Sequence, residues 1–235
     1  MRRRPGGPYR YRVTLLAEDL LLLLIDDASG KPLLDRTRLD RGLAGAVLLE
    51  LALAERVVPV TDAEPTGRTP LAVRDPSPTG DELLDDGLAR LAGRPRKAPR
   101  AVELLVRGLH QKLLTRIVAA GFVRAEHGTT LGLFPTTRWP AARPEHKAAV
   151  RAALSQVLLV GTTPDRRTAA LVSLLNAVDA VPKVVPTDDK RALVRRAREV
   201  ADGDWAGAAV RKAVDAVHAA VMAAVVAASS AAASS

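Results

Sequence analysis

The first apolar feature along the chain is an unbroken run from Leu20 to Ile25, preceded by Glu18 and Asp19 and closed by Asp26-Asp27. A short run bounded by acids reads as a buried helix, here from about Leu15 to Ile25, with a turn through Ala28-Ser29-Gly30 behind it. Leu43, Val47, Leu48 and Leu51 then recur at helical spacing, so a helix capped by Asp40 is expected to run until shortly before Pro59. Pro65, Pro70, Pro76 and Pro78 hold the stretch from Thr61 to Pro78 in a loop with one short strand at Leu71 to Arg74. Thr79-Gly80-Asp81-Glu82 has the form of a capping box, in which Thr79 and Glu82 satisfy each other's free amides. The helix it opens carries Leu83, Leu84, Leu88 and Leu91 and stops near Gly93.

Beyond the basic linker Arg94, Arg96, Lys97 and Arg100, the stripe Leu105, Leu109, Leu113 and Ile117 predicts one long helix from about Ala101 to a C-terminal Gly121. Phe122-Val123 and Leu131 to Phe134 flank Glu126-His127-Gly128-Thr129, a hairpin pattern with that polar stretch as its turn. More helices are expected from about Glu145 to Val160, from Thr163-Pro164-Asp165, from Thr187-Asp188-Asp189, and from about Asp204 to Ala228. The predicted class is mainly α: a single globular multi-helix domain over residues 11–228 with a β-hairpin and a few short strands. A basic arm at 1–10, broken by Pro5, Gly6, Gly7 and Pro8, precedes it, and a disordered Ser/Ala tail is expected at 229–235.

At 235 residues the chain can bury about 70% of its unfolded surface, enough for a core without covalent staples. It has no cysteine, which removes disulfide scaffolds, zinc ribbons, iron–sulfur sites and cysteine nucleophiles. The net charge is +9, carried by 28 Arg against 7 Lys. Arginine's planar fork suits phosphate, so nucleic acid and anionic membrane surfaces are the partner classes that this balance favours. The run Leu20 to Ile25 is far short of the ~20 apolar residues a bilayer crossing needs, so a soluble, cytoplasmic chain with peripheral membrane contact is expected. His110, His127, His146 and His218 have no metal-ligand spacing, and no phosphate loop or nucleophile elbow is present. Asp85-Asp86 and Asp188-Asp189 suit helix first turns, and Glu50 reads as a structural ion pair or an exposed helix edge. No catalysis and no cofactor are therefore expected. Two each of Phe, Tyr and Trp are few platforms for single-stranded bases. The helix–Gly–hairpin from Ala101 to Phe134 keeps a winged-helix-like duplex DNA binder as the alternative, with Arg107, His110, Lys112 and Arg116 as its readers.

Five segments together resemble the Golgi phosphoprotein 3 family. They are Leu15-Leu16-Ala17-Glu18-Asp19-Leu20-Leu21-Leu22-Leu23; Gly42-Leu43-Ala44-Gly45 running into Leu48 to Leu53; Pro78-Thr79-Gly80-Asp81-Glu82-Leu83-Leu84-Asp85; Leu113 to Gly121 with a hairpin ending Leu133-Phe134-Pro135-Thr136-Thr137; and Asp165-Arg166-Arg167 before an apolar helix. The third is the most specific, and the Ala/Arg/Val-rich composition points to a bacterial-type member. The resemblance implies a peripheral membrane protein that grips phosphatidylinositol 4-phosphate in a basic pocket beside a tryptophan. It further implies a hairpin touching the bilayer or a sister subunit (hence a homo-oligomer), and an adaptor role toward cytoplasmic tails of membrane enzymes, chiefly glycosyltransferases. The family's first pocket arginine falls on Arg107 and its second on His110, while its G-L-R-G arginine falls on Ala44 and its tryptophan on Leu34 or Asp35. Arg36, Arg38 and Arg41 lie close to the lost tryptophan in sequence and are candidate substitutes in the headgroup site. Leu131 and Leu133 on the hairpin and Arg2, Arg3 and Arg4 on the arm are the candidate membrane contacts.

Overall fold

Every residue of the first helix, α1 (Leu16–Leu23), is buried, including Glu18 and Asp19. A helix enclosed on all sides needs no polar face, which is why the leucine run shows no amphipathic period. The computed structural model describes residues 14–60, 70–130, 134–203, 205–206 and 208–232. Against α1 packs the central helix α2 (Arg36–Leu53), buried almost continuously from Gly42 to Ala52 and also touched by helices before and after it in the chain. Its N-cap is Asp35, whose carboxylate accepts from the Arg38 amide. The helix therefore starts earlier than the cap expected at Asp40, which lies inside it.

A small antiparallel sheet of β1 (Val57–Pro59), β2 (Pro70–Val73) and β3 (Arg96–Lys97) closes one side, with Leu71 opposite Pro59 and Arg96. Between β2 and β3 lies α3 (Glu82–Leu91), capped by Asp81, which accepts from the amides of Leu83 and Leu84. The expected Thr79/Glu82 box does not form. Thr79 instead bonds Asp85 through both its amide, at 2.6 Å, and its hydroxyl, at 2.7 Å. The single long helix predicted after the basic linker is two helices, α4 (Ala98–Val106) and α5 (Leu109–Ala119). The leucine stripe survives the break because Leu105, Leu109, Leu113 and Ile117 are all buried.

The hairpin is present with a different register. Glu126 to Thr130 form β4 and Phe134 to Arg138 form β5, with Glu126 opposite Arg138 and Thr130 opposite Phe134. The expected turn residues are thus the first strand: Thr129 and Thr130 are β-branched and pair readily across a ladder. Leu131 and Leu133 fall outside the described residues, as do Arg2, Arg3 and Arg4.

Helix α6 (Pro144–Ser155) continues into a π-helical turn, Gln156–Val160. Helix α7 (Arg166–Ala177) begins two residues later than the Thr163 cap predicted, because Asp165 accepts from the Thr168 amide and hydroxyl, each at 2.9 Å. The short α8 (Val181–Val184) and then α9 (Lys190–Asp202), capped by Asp189, lead to α10 (Ala208–Ala232), which continues past the expected start of the tail at Ser229. α10 lies along α2, where a Cβ at Gly45 would collide with the fully buried Val221.

Candidate functional site

The headgroup site expected from the resemblance lies where the first turns of α2 meet the corner between α4 and α5. Gly108 makes that corner at φ 72°, a left-handed conformation that glycine takes without a Cβ clash, and Arg107 before it is extended at ψ 111°. Arg90 of α3 fastens the end of α4 by donating to the carbonyls of Leu104 at 3.3 Å and Arg107 at 2.8 Å. Arg107 and His110 are consequently not neighbours three apart on one helical face. Arg107 is exposed at the corner, and its guanidinium has no partner among the described residues.

His110 faces the other way. It is buried in the first turn of α5, with Nδ1 2.9 Å from Oδ1 of Asp40. Asp40 in turn accepts from Nε of Arg36 at 2.7 Å, so Arg36, Asp40 and His110 form one chain of contacts. Burial pushes the imidazole below its usual pKa and outweighs the opposing hydrogen bond to Asp40. Arg41 donates to Glu103 of α4 at 2.8 Å, and Arg38 sits near Asp35 at 3.3 Å and Asp179 at 3.9 Å. Arg36, with its side chain 70% exposed, and Arg107 are the two candidate cations most open to an incoming anion. Ala44 and Leu34 are buried, so those positions line the core rather than a pocket.

The motifs that carry the resemblance converge elsewhere, in an ionic cluster inside the bundle. Glu18 accepts from the Leu15 amide at 2.9 Å and from Nε of Arg116 at 2.8 Å. Arg116 also grips Asp81 with a two-pronged contact at 3.1 and 2.6 Å. Asp19 accepts from Arg167 at 2.7 Å and contacts Nε2 of His146 at 2.7 Å, while Arg167 also reaches the Thr14 carbonyl. Glu50 accepts from the Leu16 amide at 2.5 Å and lies 3.7 Å from Arg167. Burial raises its pKa despite the bond from Leu16 and the nearby Arg167. The Glu-Asp pair on α1, the capping Asp of α3 and the arginine after the α7 cap are therefore a framework tying α1 to five other helices. The sequence signal for it was two acids inside an otherwise apolar helix, since buried charges require partners.

The family model for Golgi phosphoprotein 3 (GPP34) matches residues 16–217. The chain belongs to the Golgi phosphoprotein 3 family. Within this family member the matched region starts at α1 and reaches into α10, and so contains both the ionic framework and the α2/α4–α5 corner. Among the described residues no helix is long and apolar enough to cross a membrane.

Two histidines, His110 and His218, give this Golgi phosphoprotein 3 family protein a pH response. Burial lowers the pKa of His110, and likewise of the half-buried His218, whose Nε2 is enclosed with no hydrogen-bond partner among the described residues. The unfolded chain takes up these protons near the ordinary value of 6.5 while the folded chain resists. Their stabilisation is thus full above pH 6.5 and declines as pH falls below it. Urea midpoints should drop between pH 7.5 and 5.5, and the double variant His110→Gln/His218→Leu should flatten that slope. An unchanged slope would contradict this account.

Proposed function

We propose that the protein is a non-catalytic peripheral adaptor that docks on anionic phospholipid headgroups and retains the tails of membrane enzymes such as glycosyltransferases. The observation that carries the reading is Arg107: it stands at the family's headgroup-arginine position, exposed and without a carboxylate partner among the described residues. Arg36, whose contact with Asp40 is largely open to solvent, is the second cation offered at the same corner. With His110 buried and neutral, and Ala44 and Leu34 in the core, recognition rests on charge more than on the position of a single phosphate. A phosphatidylinositol 4-phosphate headgroup is then one acceptable anion among several.

Duplex DNA is less well served. Lys112 is bonded to Asp86 at 2.9 Å and Arg116 is committed to Glu18 and Asp81, so the helix before the hairpin keeps few free readers. The test is flotation with neutral, phosphatidylinositol, phosphatidylinositol 4-phosphate and cardiolipin vesicles at several salt concentrations. Anionic vesicles should carry the protein. Arg107→Ala should weaken partition about fivefold, from about 1 kcal/mol per basic residue at such a surface, and deleting residues 1–10 should weaken it further. Equal flotation of neutral vesicles, or none with any lipid, would overturn the reading.

A further inference from the structure

The π-helical turn after α6 leaves two large aliphatic side chains in water, Leu159 at 50% and Val160 at 68% exposure. Leu154, Val157 and Leu158 take the inward positions of this segment, so the next two residues fall on its outer flank. Arg196 of α9 reaches toward the turn's carbonyls, to Val157 at 3.4 Å and Gly161 at 3.5 Å, which fixes the aliphatic pair beside α9. Leu159, Val160, Arg195 and Arg196 share the walls of an open groove of about 370 Å3.

The outer face of α9 is cationic. Arg191, Arg195 and Arg198 recur at intervals of four and three residues, so they form one stripe about 10 Å long at 1.5 Å rise per residue, and Lys190 extends it. None of the four has a side-chain partner among the described residues, whereas Arg41, Arg56, Arg90, Arg116 and Arg167 are each paired with a carboxylate. Among the described residues, Glu199 and Asp202 are the carboxylates that share the depression beside these four cations. Like charges at helical neighbours repel, so the stripe is a standing cost to the isolated protein that an anionic partner removes.

The geometry points to an anionic bilayer as that partner: Leu159 and Val160 enter the boundary of the acyl layer while Arg191, Arg195 and Arg198 lie among the headgroups. This rests on the lipid reading above and names a second, larger contact surface for it. Protruding aliphatic side chains flanked by arginines match the interfacial pattern of peripheral membrane helices, in which apolar insertion and charge act together. A peptide partner would need an enclosed apolar slot, whereas the groove walled by Leu159 and Val160 is open to solvent and shared with Thr187, Asp189, Arg195, Arg196 and Glu199.

The absence of cysteine allows single labels. Val160→Cys and Arg107→Cys, each carrying an environment-sensitive fluorophore, would be titrated with vesicles of phosphatidylcholine alone and with added phosphatidylglycerol. Emission from position 160 should shift to the blue on anionic vesicles only and be quenched by lipids spin-labelled in the acyl chain. The triple variant Arg191→Gln/Arg195→Gln/Arg198→Gln should weaken partition about a hundredfold, at about fivefold per arginine, with a urea midpoint that does not fall. Flotation that persists in the triple variant with a water-like signal at 160 overturns this inference and leaves the headgroup reading standing. Loss of flotation in the triple variant alone, with Arg107→Ala unaffected, supports the inference and removes the Arg107 site. A response at 160 to an acidic leucine-containing peptide but to no vesicle replaces the bilayer with a protein partner and overturns the inference.

Discussion

Arg116→Leu should destabilise the protein by about 3–5 kcal/mol, the cost of removing one partner from a buried ion pair. The guanidinium holds Glu18, whose side chain is 2% exposed, and Asp81, at 21%. Without it, Glu18 loses its bonded arginine while the Leu15 amide still donates to it, and its charge stays in a region that water does not reach. Asp81 loses as well: burial pushes its pKa up, and it is chiefly the Arg116 hydrogen bond and charge that bring it below the usual carboxylate range. A lowered carboxylate pKa contributes stability above about pH 4 that fades as pH falls further, so the variant should also lose part of its acid-denaturation slope. The measurement is a denaturant titration of Arg116→Leu, Glu18→Gln and the double variant. The double should cost clearly less than the sum of the singles, because the second change removes the charge that the first one strands. A loss below about 1 kcal/mol for Arg116→Leu would place the pair with exposed ion pairs and refute its role as a framework contact.

The contrast between this framework and the headgroup corner shows what the sequence made legible. Periodicity located the helices well because burial is local: the same leucines that set the 105/109/113/117 stripe are the ones in the core. It failed at Gly108, since two helices burying one continuous stripe look like a single helix until the backbone turns at the glycine. That break separates Arg107, exposed at the corner, from His110, buried in the first turn of α5. Caps were misplaced wherever two capping residues lay a few positions apart. Asp35 prevailed over Asp40, and Asp81 over Thr79, because the carboxylate that reaches the free amides is set by where the preceding chain enters the helix. The motif strings were legible as family marks, but their physical roles were not. Glu18 meets Arg116 from 98 residues away and Asp19 meets Arg167 from 148, and no local rule pairs such residues. Conversely, the aliphatic knuckle at Leu159 and Val160 read as the end of an ordinary helix, because outward orientation depends on the turn that closes it.

Gly30→Ala should cost at least about 3 kcal/mol, combining a strained backbone with a collision that cannot relax cheaply. Gly30 ends the turn after α1 at φ 63°, where an L side chain is disfavoured by about 1–2 kcal/mol. A Cβ there would lie 2.5 Å from the Trp139 nitrogen and 2.6 Å from that of Pro140, and both are backbone atoms rather than the ends of flexible side chains. The Gly30 carbonyl meanwhile accepts from the Trp139 amide at 3.0 Å, so the two segments cannot separate without breaking that bond. This contact holds the base of the hairpin, through Trp139 and the Arg124–Pro140 bond at 3.1 Å, against the α1–α2 turn. Gly80→Ala is the control: its φ of 84° carries the same kind of strain, yet a Cβ there meets nothing within 4 Å. The difference between the two urea midpoints therefore reports the collision alone. Equal losses at the two positions would mean that the hairpin base yields freely, and that Gly30 is required only for its backbone angle.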